Sequence, residues 1–122
     1  MAFSERLQLI GAPASPYTRK MLGLLRYRHI PYDVIWGMPE VVLEQMGIAK
    51  PKMTFLPTFL FEDGGEQLVA RCDSTPIIRE LESRYEGRSV LPGDPALAFI
   101  DYLLEDFADE WATKYMFHYR WY

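Results

Sequence analysis

Cysteine is nearly absent. A single residue, Cys72, in a chain of 122 excludes an internal disulfide framework and a cysteine-rich zinc module. The two histidines, His29 and His118, share no metal-ligand spacing with each other or with Cys72, so no metal site is expected. Basic charge is also short: Lys and Arg number 13 against 17 Asp and Glu, for a net charge of −4 and a pI near 5.1. Phosphate contact relies on clustered Lys and Arg, so no nucleic-acid partner is expected. No apolar run approaches the ~18 to 20 residues needed to span a bilayer. Glu5 and Arg6 interrupt the stretch where a secretory signal would carry its apolar core. The expectation is a cytoplasmic chain with no membrane partner. Hydrophobic residues, by contrast, are plentiful, at 49% with 15% aromatic. That is too many for a disordered chain, and at this length enough for a domain with its own core. No internal repeat or low-complexity segment is present.

Leu7 to Ile10 reads as a short apolar strand, followed by a turn over Gly11, Ala12, Pro13 and Ala14. Ser15 before Pro16 is a helix start, with Ser as N-cap and Pro in the first helical position. Tyr17, Met21, Leu24, Leu25 and Arg28 then recur at helical spacing, which predicts a helix to Tyr27 or Arg28. Tyr32 to Trp36 predicts a second strand, and Val41 to Met46 a short helix. Phe55 to Glu62 is strand-like but contains Pro57, which cannot donate to a ladder. Asp63-Gly64-Gly65 is a turn, and Glu66 to Arg71 the returning strand of a hairpin. Ser74 is placed as the cap of the next helix, with Pro76 in its first turn. Its apolar face is Ile77, Ile78, Leu81 and Tyr85, and Gly87 follows its end.

The stretch GRSVLPGDP, Gly87 to Pro95, has linker composition. Asp94 then caps a helix that is expected to run unbroken from Ala96 to Tyr122. Its stripe is Leu97, Ile100, Leu104, Phe107, Trp111, Tyr115, His118 and Tyr122, with Phe99, Leu103, Phe117 and Trp121 on other faces. A helix apolar nearly all round expects cover on several sides. The expectation is a piece of a longer protein or a self-associating chain.

Three positions invite chemistry. Ser15 enters a helix N-terminus, where unpaired N–H groups and the helix dipole favour negative charge. It is either a plain N-cap or a hydroxyl that donates to a thiolate or phosphate. Pro57, inside an apolar strand, is either a trans edge proline or a cis bond near a site. Asp73-Ser74 opens a helix, as a cap or as a carboxylate-binding pair. Cys72 beside that pair reads as an inert thiol, and Arg19 and Lys20 as a solvated face.

The order of these signals carries more than any one of them. Ala14-Ser15-Pro16-Tyr17-Thr18, then Leu56-Pro57-Thr58-Phe59, then Cys72-Asp73-Ser74-Thr75-Pro76-Ile77 resemble the glutathione transferase family. The GRSVLPGDP segment looks like the junction between that family's two domains. The resemblance implies an α/β fold: a thioredoxin-like, glutathione-binding domain over residues 1–87, with a mixed four-stranded sheet flanked by helices. A linker over 88–95 and the first helix of a truncated all-helical domain over 96–122 follow. It implies that Ser15 hydrogen-bonds the glutathione sulfur and stabilises the thiolate. Leu56, before a cis Pro57, would pair its backbone with the cysteinyl part. Ser74 would take the γ-glutamyl carboxylate, Asp73 the amine, and Lys52 the glycyl carboxylate.

The family usually has Glu where Asp73 stands, one methylene longer. The two cysteines of glutaredoxin-like relatives are replaced by Ser15 and Thr18, which removes dithiol redox chemistry. Tyr17 is expected beside the site, with Phe107, Trp111 and Tyr115 facing an electrophile pocket. The implied activity is transfer of glutathione to a small electrophile by a homodimer. The alternative is a non-catalytic glutathione-binding or protein-interaction module of the same fold.

Overall fold

Ser15 and Pro16 do begin a helix, and the elements around it follow the expected alternation. The computed structural model describes residues 6–65 and 67–121. Glu66, the expected start of the returning strand, and Tyr122, the expected end of the last helix, lie outside the described residues. The order is β1 (Leu7–Gly11), α1 (Pro16–Arg28), β2 (Tyr32–Trp36), α2 (Pro39–Met46), β3 (Thr58–Glu62), β4 (Leu68–Cys72) and α3 (Ser74–Arg84). After α3 come α4 (Pro95–Asp106), a π-helical stretch over Phe107–Ala112, and α5 (Thr113–Trp121).

The four strands form one mixed sheet in the order β2-β1-β3-β4. β1 and β2 are parallel, as the intervening helix requires, while β3 pairs antiparallel with both β1 and β4. Side chains alternate across the sheet. On one face Ile10, Leu60 and Ala70 pack with Val42 and Leu43 of α2. Leu9, Phe59 and Phe61 point the other way and are fully buried, as are Met21, Leu22 and Leu25 of α1 and Leu81 of α3. Arg84 of α3 sits over the Phe61 ring, 4.8 Å from its centroid, so α3 covers that face. Helices on both faces with a mixed four-stranded sheet make this a thioredoxin-like α/β fold.

Several boundaries differ from the sequence reading. Gly11 belongs to β1 and not to the turn, because its carbonyl accepts from Gly37 N–H beyond β2. α2 begins at Pro39, earlier than Val41, with Pro in the first turn and no side-chain cap on Met38. β3 begins only after Pro57, whose missing N–H cannot enter the ladder. β4 runs to Cys72. Ser74 is the first residue of α3; the cap position is Asp73, and Tyr85 leaves the helix in extended conformation.

The C-terminal helix is not one α-helix, since six residues, Phe107–Ala112, are π-helical. Thr113 Oγ1 donates back to Asp109 C=O at 3.0 Å there, a bond that competes with regular α spacing. The chain divides into two compact units, residues 1–88 and 89–122. In the second unit Asp94 caps α4 with 3.0 Å bonds from Ala96 and Leu97 N–H. No residue of its helical segments is buried.

Candidate functional site

One row across the sheet organises the site: Ile10 of β1 pairs with Thr58 of β3, and Thr58 pairs with Cys72 of β4. Ser15 follows the β1 end of this row, Leu56-Pro57 precedes its middle, and Asp73-Ser74 follows the β4 end. Residues far apart in sequence therefore come to one edge of the sheet, beside the N-termini of α1 and α3.

Ser15 has the extended backbone of an N-cap, and its Oγ accepts from Thr18 N–H at 3.2 Å. That bond uses a lone pair and leaves the hydroxyl proton to donate. Capping and ligand donation are therefore compatible, so the two readings of Ser15 are not exclusive. Thr18 itself is fully buried, and its Oγ1 accepts from Ala12 N–H at 3.3 Å. From α1 it braces the turn. Arg19 Nε holds the Pro13 carbonyl at 2.9 Å. Tyr17, the second residue of α1, is half-buried.

The Leu56-Pro57 peptide bond is cis. Thr58 Oγ1 donates to the Phe55 carbonyl at 2.7 Å, spanning the bend. Among the described residues nothing hydrogen-bonds the Leu56 backbone N–H or C=O. An unpaired strand-like edge of this kind can accept an added extended segment. The loop before it is tied at two points. The Cys72 thiol donates to Met53 C=O at 2.9 Å. Thr54 Oγ1 donates to Glu40 Oε1 at 2.5 Å. The Thr54 hydroxyl, a backbone N–H and the nearby Lys50 charge hold the Glu40 carboxyl below its usual value, against a small opposing effect of burial. Lys52 is exposed on this same loop.

Asp73 adopts φ +85° and ψ 114° and makes no side-chain capping bond. That backbone region is costly for any residue but Gly, and such strain is concentrated at ligand sites. Its carboxylate is exposed, beside a Ser74 that is only 7% exposed. Lys20 Nζ donates to Ser74 Oγ at 3.0 Å. Lys20 is thus half-buried between α1 and α3, not on a solvated face. Helical spacing alone could not have marked it out, because the contact joins residues 54 positions apart.

Phe107, Trp111 and Tyr115 belong to the second unit, where all three rings are exposed. Phe107 and Trp111 fall in the π-helical stretch. Lys114 Nζ lies 4.1 Å from the Trp111 ring centroid. The described residues contain no group of three or more His, Cys, Asp or Glu side chains that could hold a metal. No described helix is long and apolar enough to cross a membrane.

Residues 9–89 match the family description "Glutathione S-transferase, N-terminal domain". The chain belongs to the glutathione S-transferase family. The match spans well over half the chain and takes in Ser15, Leu56-Pro57 and Asp73-Ser74 together. For a glutathione S-transferase N-terminal domain, glutathione binding is the family-level property. No curated protein matches the chain as a relative.

Proposed function

We propose that this chain binds reduced glutathione and activates its thiol for attack on a small electrophile. The observation that carries the reading is the row Ile10–Thr58–Cys72, which gathers Ser15, Leu56 and Ser74 at one sheet edge. Leu56 offers an unpaired N–H and C=O to the cysteinyl part of the tripeptide. Ser74 and the N-terminus of α3 receive the γ-glutamyl carboxylate, and Asp73 its amine. Lys52, exposed on the adjoining loop, is assigned to the glycyl carboxylate. Ser15 donates its hydroxyl proton to the sulfur, and the N-terminal dipole of α1 adds to the stabilisation of negative charge. The thiol proton leaves to water, the sulfur lone pair forms the new C–S bond, and the electrophile's leaving group or π-bond takes up the displaced pair. Tyr17, half-buried in the first turn of α1, is assigned to the electrophile side. The proposed assembly is a homodimer in the cytoplasm.

Exposure of Phe107, Trp111 and Tyr115 favours a second reading, a glutathione-binding or interaction module without turnover. One experiment separates the two. Thermal unfolding is followed against reduced glutathione, since a ligand of the folded state raises the midpoint. Conjugation to a model electrophile is then assayed with Ser15→Ala and Ser15→Gly. The enzyme reading expects a saturable shift and a rate loss on the order of a hundredfold in both variants. A shift with no conjugation by the parent chain supports the module. Absence of any shift sinks both.

A further inference from the structure

We propose that Lys20 is a further binding residue of the same site, placing a positive charge against the γ-glutamyl carboxylate that Ser74 receives. This rests on the glutathione reading above.

Three observations converge. Lys20 Nζ lies 3.0 Å from Ser74 Oγ. In that bond the ammonium is the donor, so the Ser74 hydroxyl proton is directed elsewhere, toward an acceptor. Ser74 is nearly buried, so the ammonium sits in a partly desolvated place where a charge interaction is less screened than at the surface. Immediately before Ser74 in the chain, the exposed Asp73 carboxylate is held by a strained backbone and spends nothing on capping.

A cation hydrogen-bonded to the Ser74 hydroxyl and an anion on the residue before it, at a helix N-terminus, match a zwitterion, the α-amino and α-carboxylate pair of an amino acid. Lys20 and Ser74 face the carboxylate and Asp73 the ammonium. The γ-glutamyl end of glutathione carries that pair; a simple thiol such as 2-mercaptoethanol does not. Lys20 thereby makes the site selective for thiols with a free amino-acid terminus. α1 contributes at both ends of the ligand: Ser15 at its N-cap for the sulfur, Lys20 in its body for the carboxylate.

The test is calorimetric titration of the 122-residue chain with glutathione and with an analogue whose γ-glutamyl group is replaced by 4-aminobutyryl, which lacks the α-carboxylate. Lys20→Met is expected to weaken glutathione binding about tenfold, the range of a lost charge-assisted hydrogen bond. It should leave the analogue's affinity unchanged, and Lys20→Arg should recover most of the loss. Equal affinity of Lys20→Met and the parent for glutathione would overturn the assignment. An equal loss for both ligands, accompanied by a lower unfolding midpoint, would also overturn it and make Lys20 a structural tie between α1 and α3. A parent chain that binds neither ligand, with Ser74→Ala indistinguishable from it, would remove the glutathione reading and the Lys20 role together.

Discussion

At Gly11 a Cβ would stand 2.7 Å from Thr18 Cγ2. Thr18 is β-branched, fully buried and fixed by its bond from Ala12 N–H, so it cannot move aside cheaply. Gly11→Ala is therefore expected to destabilise the fold by about 1 to 3 kcal/mol, as overpacking does, measured by urea unfolding. Ser15→Ala removes the cap on α1 and should cost about 1 kcal/mol, whereas Ser15→Gly should cost only a few tenths. Comparing the two separates the capping role from the donor role in any rate loss. Asp73 gives the opposite sign. Asp73→Gly relieves its φ of +85° and is expected to raise stability by about 1 kcal/mol. Glutathione affinity should fall in the same variant; a gain in both would remove Asp73 from the site. Neither the close approach at Gly11 nor the strain at Asp73 is visible in the sequence, because each arises from packing between segments. The hydroxyls and the proline were visible, because their chemistry is local.

Among elements, α1 and α3 are joined at both ends. Near the site the join is Lys20 to Ser74. At the far end the buried Arg28 donates from Nη2 to the carbonyls of Tyr85, at 2.6 Å, and Gly87, at 3.3 Å. Its Nη1 is 3.3 Å from Glu82 Oε1, an ion pair by distance but not aligned as a hydrogen bond. Arg28→Met should cost roughly 2 to 4 kcal/mol, since it removes the buried donor that both carbonyls share and the cation facing Glu82.

A second network lies where α3 meets β4 and the turn after β3. Arg71 bridges Glu80 and Asp63, while Arg84 pairs with Glu80 one helical turn away. Burial pushes the Glu80 carboxyl up, but the hydrogen bonds and charges of Arg71 and Arg84 outweigh it and hold it below its ordinary value of 4.5. A carboxyl depressed in the folded state stabilises the fold above its unfolded pKa and loses that contribution as pH falls through the folded one. Glu80→Gln should therefore lower stability at pH 7 and flatten the decline below about pH 4.5, seen in unfolding midpoints across pH.

Element by element, β1, α1 and β2 were readable to within a residue from Ser-Pro capping and β-branched runs. α2 was harder, since Met38 caps it with no side-chain signal. The π-helical stretch FADEWA carries no mark that distinguishes it from an α-helix.

For the whole molecule, the buried hydrophobic core among the described residues ends at Leu81, and every residue of it lies in the first unit. Truncation after Arg88 is therefore expected to leave a cooperative thermal transition, while the full chain binds more of an apolar-surface dye. The dye signal follows from the second unit, where Leu97, Phe99, Ile100, Leu104 and Trp111 are at least half exposed. A truncated chain without a transition would show that the first unit draws stability from the second.

The row from Ile10 through Thr58 to Cys72 has a practical consequence. Because it brings three remote stretches to one edge, there is no place for a ligand in a partly assembled sheet. Apparent affinity therefore gauges integrity. A core substitution such as Leu60→Ala, with no contact to any ligand, should raise the measured dissociation constant only by the reciprocal of the folded fraction. Saturating ligand should return that same variant to its native spectrum. Variants that act on recognition, and variants that merely depopulate the native state, are thus told apart by whether mass action can rescue them.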